Sequence, residues 1–218
     1  GIRDVERSRG LGDVYKRQKM NRVVLVSRNP RKYLKKWFAK CRNIDMVAEH
    51  GLWIYSHNTK KWFQLERNVD TTWKKHIRPI IETYVDRTPG SFIEERLHSL
   101  SWDYQKSDPA QAEIRLKELM ANLLSFVSGS HLEVLRGEKI VGVKLSSISK
   151  GKAALRILEK EKNADFIMAI GDDWTDEEIF SSLPEFCITI KVKHSISSRA
   201  KYFVSSQKDV MAVLKKLA

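Results

Sequence analysis

The sequence predicts an α/β protein whose core is built on a parallel sheet and is interrupted by a mixed α/β insertion. Two observations carry that prediction. Strand-sized apolar runs alternate with amphipathic helical stretches after residue 20, and the same alternation returns through the last third of the chain. Between these stretches the style changes, and hairpin-like strands with two long helices take over. The core is therefore assigned to residues 20–51 and 146–218, and the insertion to 52–145.

The elements follow in order. Asn21 to Ser27 is an apolar strand, and Leu34, Trp37, Phe38 and Cys41 then recur at helical spacing. Ile44 to Tyr55 reads as a second strand that turns at Ser56 to Lys60 into a hairpin. A helix over Trp73 to Arg87, with a kink expected at Pro79, ends at Pro89-Gly90. Ser91 to Tyr104 is extended, and Asp108-Pro109 is an N-cap followed by proline in the first turn, opening a helix to about Ser128. Two strands flank Arg136-Gly137. Strict alternation then resumes: helix Lys152 to Glu161, strand Asp165 to Gly171, helix Asp176 to Leu183, strand Cys187 to Val192, a short strand at Tyr202 to Val204, and helix Lys208 to Leu217. Residues 1–19 hold six basic residues, three acids and three glycines without strand or helix periodicity, and are expected to be a non-native or disordered leader.

Of the 218 residues, 42% are hydrophobic and 31% charged, which is the balance of a chain that buries a core and stays in water. Apolar runs such as Val23 to Val26 fall far short of the roughly 20 residues of a membrane span, so no membrane partner is expected. Cys41 and Cys187 form neither a CxxC pair nor a disulfide framework, and a cytoplasmic location is expected. The net charge of +13 raises the question of nucleic acid. Its Lys and Arg are spread along helical stretches without interleaved aromatics, so solvated helix faces are expected instead.

Three places carry chemistry. The apolar strand ending at Gly171 is followed by Asp172 and Asp173, two carboxylates at the edge where open α/β sheets bind ligands. Thr175 and Glu178 have the spacing of a capping box, and Asp176 and Glu177 suit the positive end of a helix, so these acids have a local reading. Asp172 and Asp173 precede that box, and paired hard oxygens suit Mg²⁺. Lys150, beside Gly151 at a helix start, can neutralise a phosphate or serve as an ordinary surface lysine. Ser27 ends the first strand and could donate to a phosphoryl oxygen.

A strand-ending serine, a lysine before a helix and a strand-ending acidic pair, in that order, resemble the later motifs of the haloacid dehalogenase superfamily. More narrowly, Ala48 to Gly51 (AEHG), Ser91 to Trp102 (SFIEERLHSLSW), Ser149 to Ala153 (SKGKA) and Gly171 to Phe180 (GDDWTDEEIF) resemble the trehalose-phosphatase family. The resemblance covers about residues 21–218. It implies a Rossmann-like core with an inserted α/β cap and Mg²⁺-assisted hydrolysis of trehalose 6-phosphate through an aspartyl-phosphate. Residue by residue it implies that Ser27 contacts the phosphoryl group and Lys150 neutralises charge, that Asp172 binds Mg²⁺, and that Asp173 and Asp176 support that site. Glu95, Arg96 and Ser99 would face the sugar.

The same resemblance marks departures. The family's first motif, a strand ending in Asp-x-Asp-Gly-Thr, has no counterpart before Ser27, so the chain as given is expected to be an N-terminally truncated and inert form. Arg28-Asn29 stands where the family reads Gly-Arg, Trp102 to Gln105 (WDYQ) where it reads Trp-His-Tyr-Arg, and Gly142 where a Glu is usual. Two functions follow as expectations: phosphatase activity in an intact parent, or a non-catalytic module supporting a fused trehalose-phosphate synthase.

Overall fold

The computed structural model describes residues 21–67, 69–137, 139–161 and 164–217. The leader expected at 1–19 lies outside the described residues. The chain divides into two compact units, one holding residues up to Leu65 and from Ser149 onward, the other Glu66–Ile148.

The first unit begins with β1 (Val23–Val26), which pairs in parallel with β2 (Ile44–Ala48), Val23 facing Ile44 and Val26 facing Val47. Helix α1 (Arg31–Trp37) makes the crossover. β2 is buried at all five positions because both of its faces are covered. Ile44, Met46 and Ala48 pack with Leu34 of α1, while Val47 packs with Ala153 and Ile157 of α4 (Lys150–Leu158). Asp45, on the same fully buried strand, is held by the Arg22 guanidinium and by the backbone N–H and ring of His57. Burial alone would push the Asp45 carboxyl up, but these partners outweigh it and hold its pKa below the usual carboxylate value.

The expected single strand Ile44 to Tyr55 is broken. Glu49, His50 and Gly51 all take positive φ in a 3₁₀ turn that reverses the chain into β3 (Trp53–Ser56), which runs antiparallel to β2 and on to β4 (Lys61–Gln64). The boundary of the insertion moves with it. This hairpin, assigned by sequence to 52–145, is hydrogen-bonded into the sheet of the first unit, in the order β1-β2-β3-β4, and the second unit starts at Glu66.

The returning alternation forms a second sheet, β11-β10-β9, from β9 (Met168–Gly171), β10 (Ile188–Val192) and β11 (Tyr202–Val204), all parallel. Helix α5 (Glu177–Ser182) connects β9 to β10, and α6 (Gln207–Lys216) follows β11. Here the structure corrects the expectation of one continuous core sheet. Among the described residues β1 pairs only with β2 and β9 only with β10, so the strands ending at Ser27 and Gly171 lie in different sheets. What ties the half-sheets together is α4, which packs on β1 and β2 and against α5.

In the second unit, β5 (Phe92–Arg96), β6 (Ser99–Asp103), β8 (Ile140–Leu145) and β7 (Leu132–Gly137) form an antiparallel sheet in that order. Helices α2 (Lys74–Asp86) and α3 (Pro109–Val127) pack on it, burying Ile77 and Ile81 of α2, Leu119 and Leu123 of α3, and Leu100 and Trp102 of β6. Asp108 caps α3 through the N–H of Gln111, as its position before proline predicts. α2 runs through Pro79 as one element.

Gly142 sits in the middle of this sheet, opposite Ser101 on one side and Leu135 on the other. A Cβ there would come within 2.2 Å of the Leu100 carbonyl oxygen and 2.5 Å of Ser101 Cα. Installing the family's glutamate by Gly142→Glu therefore forces backbone apart, and a loss of about 1–3 kcal/mol in stability is expected, read as an earlier urea midpoint at unchanged slope.

Candidate active site

The residues singled out in the first unit meet at the carboxyl ends of β1 and β9. Ser27 continues the β1–β2 ladder through its N–H to the Val47 carbonyl at 2.9 Å. Its hydroxyl accepts from the Asn29 N–H at 3.1 Å and the Asn29 side-chain amide at 3.2 Å, so the Asn that departs from the family pattern holds the Ser27 side chain in a local turn.

Lys150 is in the first turn of α4, not before it. The helix is capped by Ser149, whose hydroxyl accepts from the Lys152 N–H at 3.0 Å. Gly151 is required by contact and not by a turn: a Cβ there would sit 2.2 Å from Ser182 Oγ and 2.3 Å from the Glu178 carbonyl oxygen, so α4 and α5 touch at this point. The ammonium of Lys150, 3% exposed, donates to Asp176 Oδ1 at 2.8 Å, and its backbone N–H donates to Glu178 Oε2 at 2.8 Å.

The capping box expected at Thr175 and Glu178 lies two residues earlier. Asp173 is the N-cap of a 3₁₀ turn, Trp174–Asp176; its carboxylate accepts from the Trp174 N–H at 2.7 Å, and Asp176 Oδ2 accepts from the Asp173 N–H at 2.9 Å. Asp173 thus has the local role that the sequence reading denied it. The displaced box leaves the Thr175 hydroxyl buried without a hydrogen-bond partner.

Asp176 places one oxygen on Lys150 and the other in the box, so it joins the lysine to the acidic turn. The chemistry of what remains suits a hard cation in part. Asp172 is exposed at the strand end, and Asp173 Oδ2 lies 3.9 Å from the Arg28 guanidinium. Mg²⁺ takes one or two carboxylates with water and phosphate oxygens, and Asp172 with Asp173 can supply those two. Among the described residues no group of three or more His, Cys, Asp or Glu is placed to hold a metal on its own.

The Arg28–Asp173 contact also brings the ends of the two half-sheets together, with Ser27 and Asp172 next in sequence to its two partners. Lys191 of β10 completes the edge, donating to the Asp173 carbonyl at 2.8 Å and pairing with Glu177 at 3.3 Å. By sequence Arg28 was marked only as a departure from the family pattern and Lys191 not at all, since each is one cation in a cation-rich chain.

Glu95, Arg96 and Ser99 belong to the second unit and part company there. Glu95 and Arg96 line a groove of about 820 Å³ together with Lys74, Lys75 and Arg78. Glu95 is ion-paired to Lys74 at 3.1 Å and to Arg78, and the Lys74 hydrogen bond foremost, followed by the charges of Lys74 and Arg78, holds its pKa below the usual carboxylate value against a small burial effect. Ser99, 1% exposed at the start of β6, does not line the groove.

An α/β core in two wings, a strand-end serine, a buried lysine at a helix start and a strand-end acidic pair together make a haloacid-dehalogenase-like fold. The family model for trehalose-phosphatase matches residues 17–212, and the chain belongs to that family. A probable alpha,alpha-trehalose-phosphate synthase of Arabidopsis thaliana is 33% identical over 215 residues, which are 91% of this chain and 25% of that protein. The trehalose-phosphatase of Saccharomyces cerevisiae is 31% identical over 182 residues, 75% of this chain and 20% of that protein. The chain thus spans about a quarter or less of the length of these relatives. In fold it resembles the C-terminal domain of the Candida albicans trehalose-6-phosphate phosphatase, with a TM-score of 0.83 at 24% identity over 94% of this chain and 80% of that one. Among the described residues no helix is long and apolar enough to cross a membrane.

Proposed function

We propose that this chain is the phosphatase module of a trehalose 6-phosphate phosphatase, and that these 218 residues by themselves release no phosphate. The observation that carries the reading is the convergence of Ser27, Lys150 and Asp172 on one edge, with Arg28 and Asp173 bridging the two strand ends at 3.9 Å. Ser27, whose oxygen accepts from Asn29, keeps its hydroxyl proton to donate to a phosphoryl oxygen. Lys150, fixed by Asp176, supplies positive charge from a buried position where it is poorly screened. Asp172 and Asp173 would hold Mg²⁺, which when bound neutralises charge on the phosphoryl group. Glu95 and Arg96 present the groove of the second unit to the rest of the substrate. The setting is a reducing cytoplasm, in keeping with the two free thiols.

No Asp-x-Asp occurs anywhere in the sequence, and without a carboxylate nucleophile the remaining groups stabilise a transition state that nothing initiates. A second reading is favoured by the same site. A module that supports a fused or associated trehalose-phosphate synthase needs no nucleophile, which suits a sequence without Asp-x-Asp.

A phosphate-release assay separates the two. The chain alone is expected to release nothing from trehalose 6-phosphate, glucose 6-phosphate or p-nitrophenyl phosphate with Mg²⁺ present. Joined behind a strand ending in Asp-x-Asp-Gly-Thr, it is expected to hydrolyse trehalose 6-phosphate. Silence of that folded, Mg²⁺-supplied fusion on all three substrates would decide for the supporting module.

A further inference from the structure

We propose that Arg28 is an exchangeable cation of the strand-end site. In this structure it pairs with Asp173; when a divalent ion takes its place on Asp172 and Asp173 it passes to the phosphoryl group, so that metal and phosphate load cooperatively. Resting on the assignment of Mg²⁺ to Asp172 and Asp173, this exchange gives a role to an arginine that stands where the family reads glycine.

Three cations border the acidic turn after β9, and they are held differently. The Lys150 ammonium, 3% exposed, donates to Asp176 at 2.8 Å, and both partners are buried. Lys191, 8% exposed, donates to the Asp173 carbonyl at 2.8 Å and pairs with Glu177 at 3.3 Å. Parting either lysine from its carboxylate strands a charge away from water, which is costly. The Arg28 side chain is 43% exposed instead, and its guanidinium lies 3.9 Å from Asp173 Oδ2, within ion-pair range but longer than a hydrogen bond. Water replaces a contact of that kind at little cost, because exposed pairs contribute little to stability.

Arg28 also faces the oxygen that a metal needs. Asp173 Oδ1 accepts the Trp174 N–H at 2.7 Å as the cap of the turn, which leaves Oδ2 to meet a cation. Arg28 and a divalent ion therefore compete for one oxygen, and like charges within about 4 Å of each other repel, twice as strongly when one of them is divalent. The turn itself stays in place during the competition, because the Asp173 N–H donates to Asp176 Oδ2 at 2.9 Å and Asp176 is anchored by Lys150.

The other end of the exchange is the preceding residue. Ser27 Oγ accepts from the N–H and the side-chain amide of Asn29, so its hydroxyl proton remains for a phosphoryl oxygen. Arg28 adjoins Ser27, and rotation of its side chain carries the guanidinium from Asp173 to a phosphoryl group received there. A guanidinium fork binds phosphate oxygens bidentately, which favours that partner over a single carboxylate oxygen at 3.9 Å. The coupling runs both ways: an anion that draws Arg28 off Asp173 opens Oδ2 to the metal, and a metal on Asp173 releases Arg28 to the anion.

The test is Mn²⁺ binding by the 218-residue chain, read from the electron paramagnetic resonance signal of the free ion, with and without inorganic phosphate. In the unsubstituted chain phosphate is expected to tighten Mn²⁺ binding about tenfold. Arg28→Met keeps the length of the side chain and removes its charge. It is expected to bind Mn²⁺ about tenfold more tightly without phosphate, and to keep only about a threefold effect of phosphate. Arg28→Lys retains the charge and should stay within about twofold of the unsubstituted chain. Asp172→Asn separates this exchange from the metal assignment beneath it. Mn²⁺ binding unchanged in Asp172→Asn would mean that the ion is held elsewhere, and the assignment and the exchange would fall together. Mn²⁺ binding weakened by Asp172→Asn but not tightened by Arg28→Met would leave the assignment standing and overturn the exchange, as would a phosphate effect of equal size in Arg28→Met and the unsubstituted chain.

Discussion

Lys150→Met is expected to destabilise the first unit by about 3–5 kcal/mol, the loss typical of removing one partner from a buried ion pair. Lys150 and Asp176 are 3% and 7% exposed, and their 2.8 Å contact is the electrostatic link between the start of α4 and the turn that follows β9. With the ammonium gone, Asp176 keeps one acceptor bond, from the Asp173 N–H, and its other oxygen is buried against apolar methionine. The double variant Lys150→Met/Asp176→Leu removes both charges and should recover most of the loss contributed by the stranded carboxylate. Urea unfolding of the two single variants and the double variant measures this directly. Near-additive losses would show that the pair is not a unit.

Acidification should weaken the second unit well before its carboxylates titrate. His98 is fully buried in the turn between β5 and β6, and its pKa of about 3 lies far below the ordinary histidine value. The folded unit therefore holds this ring neutral where the unfolded chain would protonate it. Stability is complete above about pH 6.5 and falls as the pH drops through the window between the two pKa values, by about 1.4 kcal/mol per pH unit. From pH 6.5 to 4.5 the expected loss is about 2–3 kcal/mol. Glu95 and Asp45, whose folded pKa values are depressed, add their own losses only as the pH falls into and below the carboxylate range, so the upper part of the window belongs to His98. In His98→Leu the slope of the urea midpoint between pH 6.5 and 4.5 should flatten; an unchanged slope would remove His98 as its source.

Much of the fold was legible because its signals are local. The apolar run Val23 to Val26, the helical spacing of Leu34 and Trp37, and the Asp108-Pro109 helix start all have a physical meaning within a few residues, and all three appear as elements. The misreadings come where a distant partner decides. Glu49 to Gly51 look like strand because nothing in AEHG announces three positive φ angles in succession, and the hairpin after them joins the first sheet through pairing with β2. Thr175 and Glu178 have the spacing of a capping box, but Asp173 and Asp176 have it too, and the competition is settled by Lys150, which draws Asp176 inward from 26 residues away. The groove of the second unit had a signal of its own: Lys74, Lys75 and Arg78 crowd the start of a helix whose first turn holds no acid.

The division of the first unit into two half-sheets also bears on how copies of this chain behave toward one another. Among the described residues β1 and β9 each end a sheet, with one side of their backbone unpaired, and these strands of Val, Leu, Ile, Met, Ala and Gly hold none of the lysines and prolines that guard natural sheet edges. An edge of that kind accepts any extended strand, including the same strand of a neighbouring molecule. What stands against such pairing is the charge of +13, a long-range repulsion that is strong in dilute salt and confined to about 8 Å at physiological ionic strength. Salt is therefore expected to raise self-association of this chain while every element of the fold stays in place, because it screens the repulsion between like-charged copies.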